Sequence, residues 1–379
     1  MLNLLSAIAG AVLILVVLWE AFETIVLPRR VTRQVRLTRY FYRFSWLAWS
    51  ALVCLRKGRK RQDALFSFYG PLSLLLLMAC WAAALVLGFG MVHYGTNSQF
   101  SGTLLPNRFG NDLYMSGTTF FTLGLGDITP ATALARAITV LEAGIGFGFL
   151  ALLIGYLPVM YQSFSRREVT ISLLDARAGT PPTAFELLRR HAEPGGLDAL
   201  TQVFHDWERW AADLMESHLS YPVLAYFRSQ HDNQSWLGSL TAILDSCALA
   251  MVGLEGMCQY QARMTFAIAR HAMVDLSQVF SATPGSQVPP TRLSPEELAE
   301  MRQRLQEIGL RLNDGAAAGA KLEELRRLYE PFAASLADYL KLELPPWIKR
   351  DPAKDNWQTT AWRPAPTEAC AAKVPEHHF

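Results

Sequence analysis

The sequence predicts an all-α membrane protein: one N-terminal transmembrane helix, then two helices around a re-entrant loop, then an all-α cytoplasmic domain. Three observations predict it. Of 379 residues, 51% are hydrophobic and 18% charged, whereas soluble domains carry about a quarter charged residues; the mean hydropathy is +0.15. Three apolar stretches reach the length of about 20 residues that a helix needs to cross a bilayer. Between the second and third lies a Thr- and Gly-rich segment too polar for a crossing and too apolar for an ordinary loop. The net charge of +2 is too small to argue for a nucleic-acid partner. Cys54, Cys80, Cys247, Cys258 and Cys370 lie far apart, which supports neither a disulfide framework, a zinc ribbon nor a CxxC redox site. Secreted and fibrous classes are excluded.

Residues 1–28 form the N-terminal transmembrane helix, whose long continuous apolar run, without a basic start, marks it as permanent rather than a signal peptide. Its Glu20 and Glu23 share a face and are expected to pair with Arg29, Arg30 or the basic segment that follows. It has no arginine ladder of the voltage-sensing kind. Residues 29–68 read as a basic cytoplasmic linker: eleven Lys or Arg fall between 29 and 63 against one acid, Asp63. Residues 93–112 carry only Arg108 and Asp112. By the positive-inside rule the linker is cytoplasmic and 93–112 outside, so the N-terminus lies outside and the C-terminus in the cytoplasm of a multi-pass cell-membrane protein. Within the linker, 40–55 is short, aromatic and flanked by basic clusters, an interfacial helix with Trp46 and Trp49 at headgroup depth. Arg29–Arg61 is either a topology signal alone or also a binding surface for anionic lipid head groups.

Residues 69–165 form the module of two spans. Pro71 is placed to open its first span. Its second span, 137–161, holds one charge, Glu142, before a basic stop at Arg166-Arg167. Between them, 112–121 fits a short helix, followed by Thr122-Leu123-Gly124-Leu125-Gly126-Asp127. Glycine at alternate positions permits left-handed backbone angles. Successive carbonyls can then point to one side, and several copies around an axis would stack rings of oxygen able to replace a cation's hydration shell.

This order of span, re-entrant helix, TxGxGD and span resembles the pore module of potassium channels, over about residues 69–165. The resemblance implies that Thr122, Leu123, Gly124, Leu125 and Gly126 bind ions in the filter, with Thr122 at the innermost site, and that Asp127 braces the outer mouth. Ser116, Thr119 and Pro130 also match the usual spacing. Leu123 and Leu125 stand where the family usually has valine and tyrosine, so a hydroxyl that braces the filter is missing; Phe120 and Phe121 are bulkier than usual. One loop per chain cannot close a ring, so the resemblance implies a homotetramer. Permeant potassium is the only bound species implied, with no cofactor.

Around the filter, Thr118, Thr119 and Glu142 are candidate supports: Glu142 either accepts a hydrogen bond from Thr118 or Thr119 or touches the ion path. Gly144, Gly146 and Gly148 serve as a hinge or as close-packing positions, and Pro158 as a kink. Leu157, Met160 and Tyr161 are placed near a cytoplasmic constriction.

After Glu168 the composition turns to that of a helical cytoplasmic domain, 166–280, with helices near 183–192, 197–219, 220–230, 233–254 and 257–280. A linker at 281–293 precedes C-terminal helices within 294–345, opened by the capping box Ser294-Pro295-Glu296-Glu297, and a disordered tail, 346–379. Residues 236–254 are apolar enough to cross, but central Asp245 and the absence of a basic stop favour a buried core helix. No dinucleotide fingerprint follows a strand. His205, His218, His231 and His271 lack metal-ligand spacing, and Trp207, Trp210 and Trp236 read as core. The expectation is a homotetrameric, potassium-selective channel, regulated by its cytoplasmic domain and without covalent chemistry. The alternatives are a non-selective cation channel, and a membrane sensor or scaffold with a vestigial pore.

Overall fold

The computed structural model describes residues 2–27, 36–103, 106–231, 233–257, 259–282, 284, 291–350 and 355–356. It divides into two compact units, Met1–Gln162 and Ser163–Phe379. Helix is the dominant structure, as expected of an all-α membrane protein.

In the first unit, α1 (Leu2–Ala21) ends in a widened π turn at Phe22–Val26. Helix α2 (Leu37–Cys54) follows, then α3 (Arg59–Gly95). α1 lies along α3 on a seam of small residues. A Cβ on Gly10 would come 2.5 Å from the Gly88 carbonyl oxygen, and one on Gly95 would come 2.3 Å from the Ala7 nitrogen. Such close backbone approach supplies the van der Waals contact that joins helices in lipid. The extra first helix is therefore packed into this unit.

α3 begins twelve residues before Pro71, which lies inside the helix and does not open it. The segment expected as linker up to residue 68 is thus partly helix. Phe66 and Tyr69, in the turns before the proline, are buried against Trp46 of α2, at ring distances of 5.5 and 4.8 Å. That burial offsets the hydrogen bond a proline removes. The same contacts turn both tryptophans toward α3. Trp46 is buried, and the Trp49 indole donates to the Leu65 carbonyl at 3.3 Å. Tyr40, Phe44 and Leu47 form the exposed apolar stripe instead.

Glu20 accepts hydrogen bonds from the Thr38 hydroxyl, at 2.9 Å, and its backbone N–H. Glu23 accepts from the Trp19 indole at 2.8 Å and lies 3.8 Å from the Arg36 guanidinium. Pairing with the basic segment thus involves Arg36, while Arg29 and Arg30 lie outside the described residues.

Beyond α3, strand β1 (Phe100–Gly102), helix α4 (Arg108–Phe120) and strand β2 (Ile128–Pro130) lead into α5 (Ala133–Ala178). The strands pair antiparallel, with Ser101 opposite Thr129. α5 runs unbroken through Pro158.

The second unit carries the end of α5 and α6 (Ala184–Arg190), α7 (Gly196–Ser220), a 3-10 stretch at Pro222–Tyr226, α8 (Trp236–Gly253) and α9 (Gln259–Val279). Then come α10 (Pro295–Glu307), α11 (Ala316–Arg327) and α12 (Glu330–Leu340). α10 has the predicted capping box, with Ser294 and Glu297 bonding each other's backbone N–H. α8 sits at the centre, packed by α6, α7, α9, α11 and α12. Its apolar length is 89% buried within the unit, and its central Asp245 is met there by Arg292 at 2.7 Å.

The C-terminal helices therefore complete this core and do not form a separate domain. Of the expected linker, Leu293 is buried and Arg292 binds Asp245. Of the expected disordered tail, Trp347 and Ile348 are buried. Asp355, also buried, ion-pairs with Arg190 at 2.6 Å; the rest of the tail, 351–354 and 357–379, lies outside the described residues. Trp207, Trp210 and Trp236 are buried core residues, as read from sequence.

Candidate functional site

The polar segment between α3 and α5 folds as a helix that delivers its C-terminus to an extended turn. α4 buries Met115, Ser116, Thr118, Thr119 and Phe120. Its terminal carbonyls, which have no partner inside a helix, are taken up by the next residues. The Thr119 carbonyl accepts from Thr122 N–H at 3.0 Å, and that of Thr118 accepts from Leu123 and Gly124 at 2.8 and 3.4 Å.

Along the turn the backbone alternates. Thr122, Gly124 and Gly126 have φ of +57°, +55° and +77°. A β-branched residue at positive φ is an outlier that costs on the order of 1–3 kcal/mol, and such strain clusters at functional sites. No hydrogen bond from a described residue reaches the carbonyls of Thr122–Gly126. The segment thus spends its first N–H groups on α4 and leaves a run of carbonyl oxygens for something else. Leu123 and Leu125 are about 60% exposed, at 60% and 64%.

The far end is held twice. Thr103 N–H donates to the Asp127 carbonyl at 2.9 Å, across a ribbon where a Cβ on Gly102 would collide with that same oxygen. The Asp127 carboxylate accepts from the Tyr114 hydroxyl at 2.8 Å. Sequence reasoning did not single out Tyr114. It lies 13 residues before Asp127 on α4, and only the bend after that helix brings the two together.

The other predicted site residues sort as follows. Glu142 is fully buried and accepts from Ser116, not from Thr118 or Thr119. The reason is local: the Thr118 hydroxyl turns back to the Met115 carbonyl at 3.0 Å. Gly146 is a packing position, since a Cβ there would come 2.3 Å from the Phe120 carbonyl oxygen. Around Gly144 and Gly148 the described residues leave open space. Phe120 is buried 5.9 Å from Phe149, while Phe121 is exposed. Met160, expected at a constriction with Leu157 and Tyr161, is buried, while Tyr161 is exposed. Among the described residues, no group of three His, Cys, Asp or Glu could hold a metal ion.

Residues 75–163 match the family model described as ion channel, over the helix, pore-loop and helix just described. This part of the chain is a channel-like pore module. The chain is also 24% identical over 225 residues to an uncharacterized membrane protein, YdjJ, of Bacillus subtilis (strain 168). That match covers 56% of this chain and 62% of the relative, so the chain spans less than two thirds of that protein's length. No solved structure matches. With its apolar helices, the pore module makes this a multi-pass membrane protein.

Proposed function

We propose that this chain forms a homotetrameric, potassium-selective channel that conducts passively through the carbonyls of Thr122, Leu123, Gly124, Leu125 and Gly126. The observation that carries this reading is the alternation of positive φ at Thr122, Gly124 and Gly126, with carbonyls that accept no hydrogen bond from the described residues. Rings of such oxygens replace a cation's hydration shell, and adjacent sites let ions knock one another forward. One loop supplies one side of each ring, so closure takes copies of the chain around an axis. Exposed Leu123 and Leu125 supply apolar surface for neighbouring copies to cover.

In this reading Asp127, Thr118, Thr119 and Glu142 support the filter, and Gly144, Gly148 and Pro158 lie along the gate helix. The N-terminus is outside, and the basic residues of Arg29–Arg61 bind anionic lipid head groups on the inner side. The second unit is cytoplasmic and regulates the pore. No covalent chemistry or cofactor is involved.

Purified full-length protein in liposomes tests it. Potassium flux that external barium blocks is expected, with sodium passing much more slowly. Gly124→Ala, which forces a side chain onto a left-handed position, is expected to abolish flux. Flux unchanged in that variant would overturn the filter assignment, and equal sodium and potassium flux would overturn selectivity.

A further inference from the structure

Behind the filter-like turn, three ionisable side chains from three helices meet in a closed interior. His93 comes from α3, Asp112 from α4 and Glu142 from α5, and each is at most 1% exposed. His93 Nε2 lies 3.8 Å from Glu142 Oε2, and neither atom has a hydrogen-bond partner among the described residues. Both carboxylate oxygens of Asp112 are buried in the same condition, and the nearby charges acting on Asp112 are those of Arg108 and His93. On its other side the His93 ring is fixed: Nδ1 is 2.9 Å from the Ser98 hydroxyl, and the Phe100 ring packs at 5.3 Å.

Two carboxylates and one imidazole cannot all be charged here without a net negative charge left in a medium that does not solvate it, which is strongly unfavourable. Protons are the ligands that remove that cost. Arg108, the remaining charge near the cluster, is exposed and engaged elsewhere. It donates to the Asn97 side chain at 2.8 Å and to the Tyr94 carbonyl at 2.9 Å.

The cluster is wired to the turn. The Ser116 hydroxyl donates to Glu142 and sits 2.8 Å from the Val86 carbonyl oxygen of α3. Two residues further along α4, the Thr118 carbonyl holds Leu123 and Gly124. One turn beyond Glu142 on α5, Gly146 rests against the Phe120 carbonyl. α5 thus grips the end of α4 at two levels, and the upper grip is a titratable group.

We propose that His93, Asp112 and Glu142 form a proton-binding site behind the filter, and that its occupancy sets how firmly α4 holds Leu123 and Gly124. Glu142 and His93 are then positioning residues, acting through Ser116. This rests on the channel reading for its consequence, though not for the existence of the site.

Two measurements on the full chain in phosphatidylethanolamine–phosphatidylglycerol vesicles separate the two. The first is potassium and sodium flux as external pH is varied from about 5 to about 8.5, a range that spans histidine and shifted carboxylates. The potassium-to-sodium ratio of the wild type is expected to change by roughly tenfold across it, the effect of one proton bound differently by two states of the filter. In the Glu142→Gln/His93→Gln double variant, which keeps Asp112 but removes the titratable link to Ser116, the pH dependence of that ratio is expected to shrink several-fold. A merely structural role would lower yield and leave the profile intact. The second is the protonated-carboxyl band in infrared difference spectra between acid and alkaline buffer, expected in the wild type and weakened in Glu142→Gln and in Asp112→Asn. A titrating band without any flux would overturn the channel reading and keep the proton site. Flux with a profile unchanged in the double variant, or spectra without such a band, would overturn the proposal.

Discussion

Each unit buries a carboxylate on an apolar stretch of helix, and the two are treated differently. Asp245 of α8 is bonded by both terminal nitrogens of Arg292, at 3.2 and 2.7 Å, and by the Tyr329 hydroxyl. Arg292 is in turn held by Glu330 at 3.2 Å and the Pro345 carbonyl at 2.7 Å. Burial alone would push the guanidinium down, but Asp245, Tyr329 and Glu330 together hold it above its ordinary value. Glu142 of α5 has one oxygen bonded by Ser116 and the other facing His93 at 3.8 Å with no hydrogen bond. In the first arrangement both oxygens of Asp245 are bonded, although Arg292 Nε is buried without a hydrogen-bond partner among the described residues, and the contacts specify one packing of α8, the 291–294 turn and α12. The second leaves capacity unused, and capacity is what a site that takes up and releases a ligand requires. A buried charge is thus informative chiefly through whether its partners are complete.

Breaking the bonds that satisfy Asp245 gives the largest expected effect. Arg292→Ala leaves Asp245 charged, buried and without its main counter-ion, which costs about 3–5 kcal/mol. Denaturant unfolding of the full chain followed by tryptophan fluorescence would show it. The paired change Asp245→Leu with Arg292→Met removes both charges and is expected to cost far less, because a satisfied buried ion pair contributes little beyond the desolvation it incurs. A small loss in Arg292→Ala would mean that Asp245 is not the closed element described.

His218 gives an intermediate effect, and one that depends on pH. It is fully buried, with Nε2 3.1 Å from Arg167 Nη1 and Nδ1 3.2 Å from the Ser217 hydroxyl. Burial, and then the Arg167 charge, hold its pKa well below the usual 6.5. The unfolded chain therefore takes up this proton first as pH falls, so the stability is fully present above about 6.5 and is lost below it. The loss approaches about 1.4 kcal/mol per pH unit until the folded-state value is reached. Unfolding midpoints of the second unit at about pH 7.5 and about pH 5.5 should differ accordingly. The difference should shrink in His218→Gln, and an unchanged difference there would place the acid sensitivity elsewhere.

What was legible in the sequence was what is local. Hydropathy over a helix length marked α1, α3 and α5, and alternating glycine after a Thr-rich helix marked the turn at Thr122–Gly126. Ser294-Pro295-Glu296-Glu297 marked the start of α10. What was not legible depends on partners set by the fold. Arg292 reads as linker because its partner Asp245 is 47 residues away, and Trp347 reads as tail because the ring it offers stacks under Arg292 and Arg326. Pro71 misleads for a related reason, since its cost is offset by aromatic contacts with α2 that no window around residue 71 contains. Glu142 was legible as a residue that needs a partner, but the choice of Ser116 over the threonines follows from where the Thr118 hydroxyl turns.

The smallest effect belongs to the Tyr114–Asp127 brace of the proposed filter, where Tyr114 is exposed and not in a core. Leu125 carries no hydroxyl, and the Tyr114 hydroxyl supplies a hydrogen bond to Asp127 from the helix and not from the turn. That bond, together with Asp127 itself, lifts the pKa of the Tyr114 phenol, so the donor stays protonated throughout the physiological range. Tyr114→Phe keeps the ring and removes the donor. The potassium-to-sodium permeability ratio in liposomes is expected to fall by about two- to fivefold, the scale of one net hydrogen bond, with unfolding unchanged. Restoring a hydroxyl in the turn by adding Leu125→Tyr is expected to recover part of that loss. If Tyr114→Phe instead leaves the ratio intact while shifting the unfolding midpoint, the brace belongs with Asp245 as a fold-specifying contact, and the contrast between the two units narrows to Glu142 and His93.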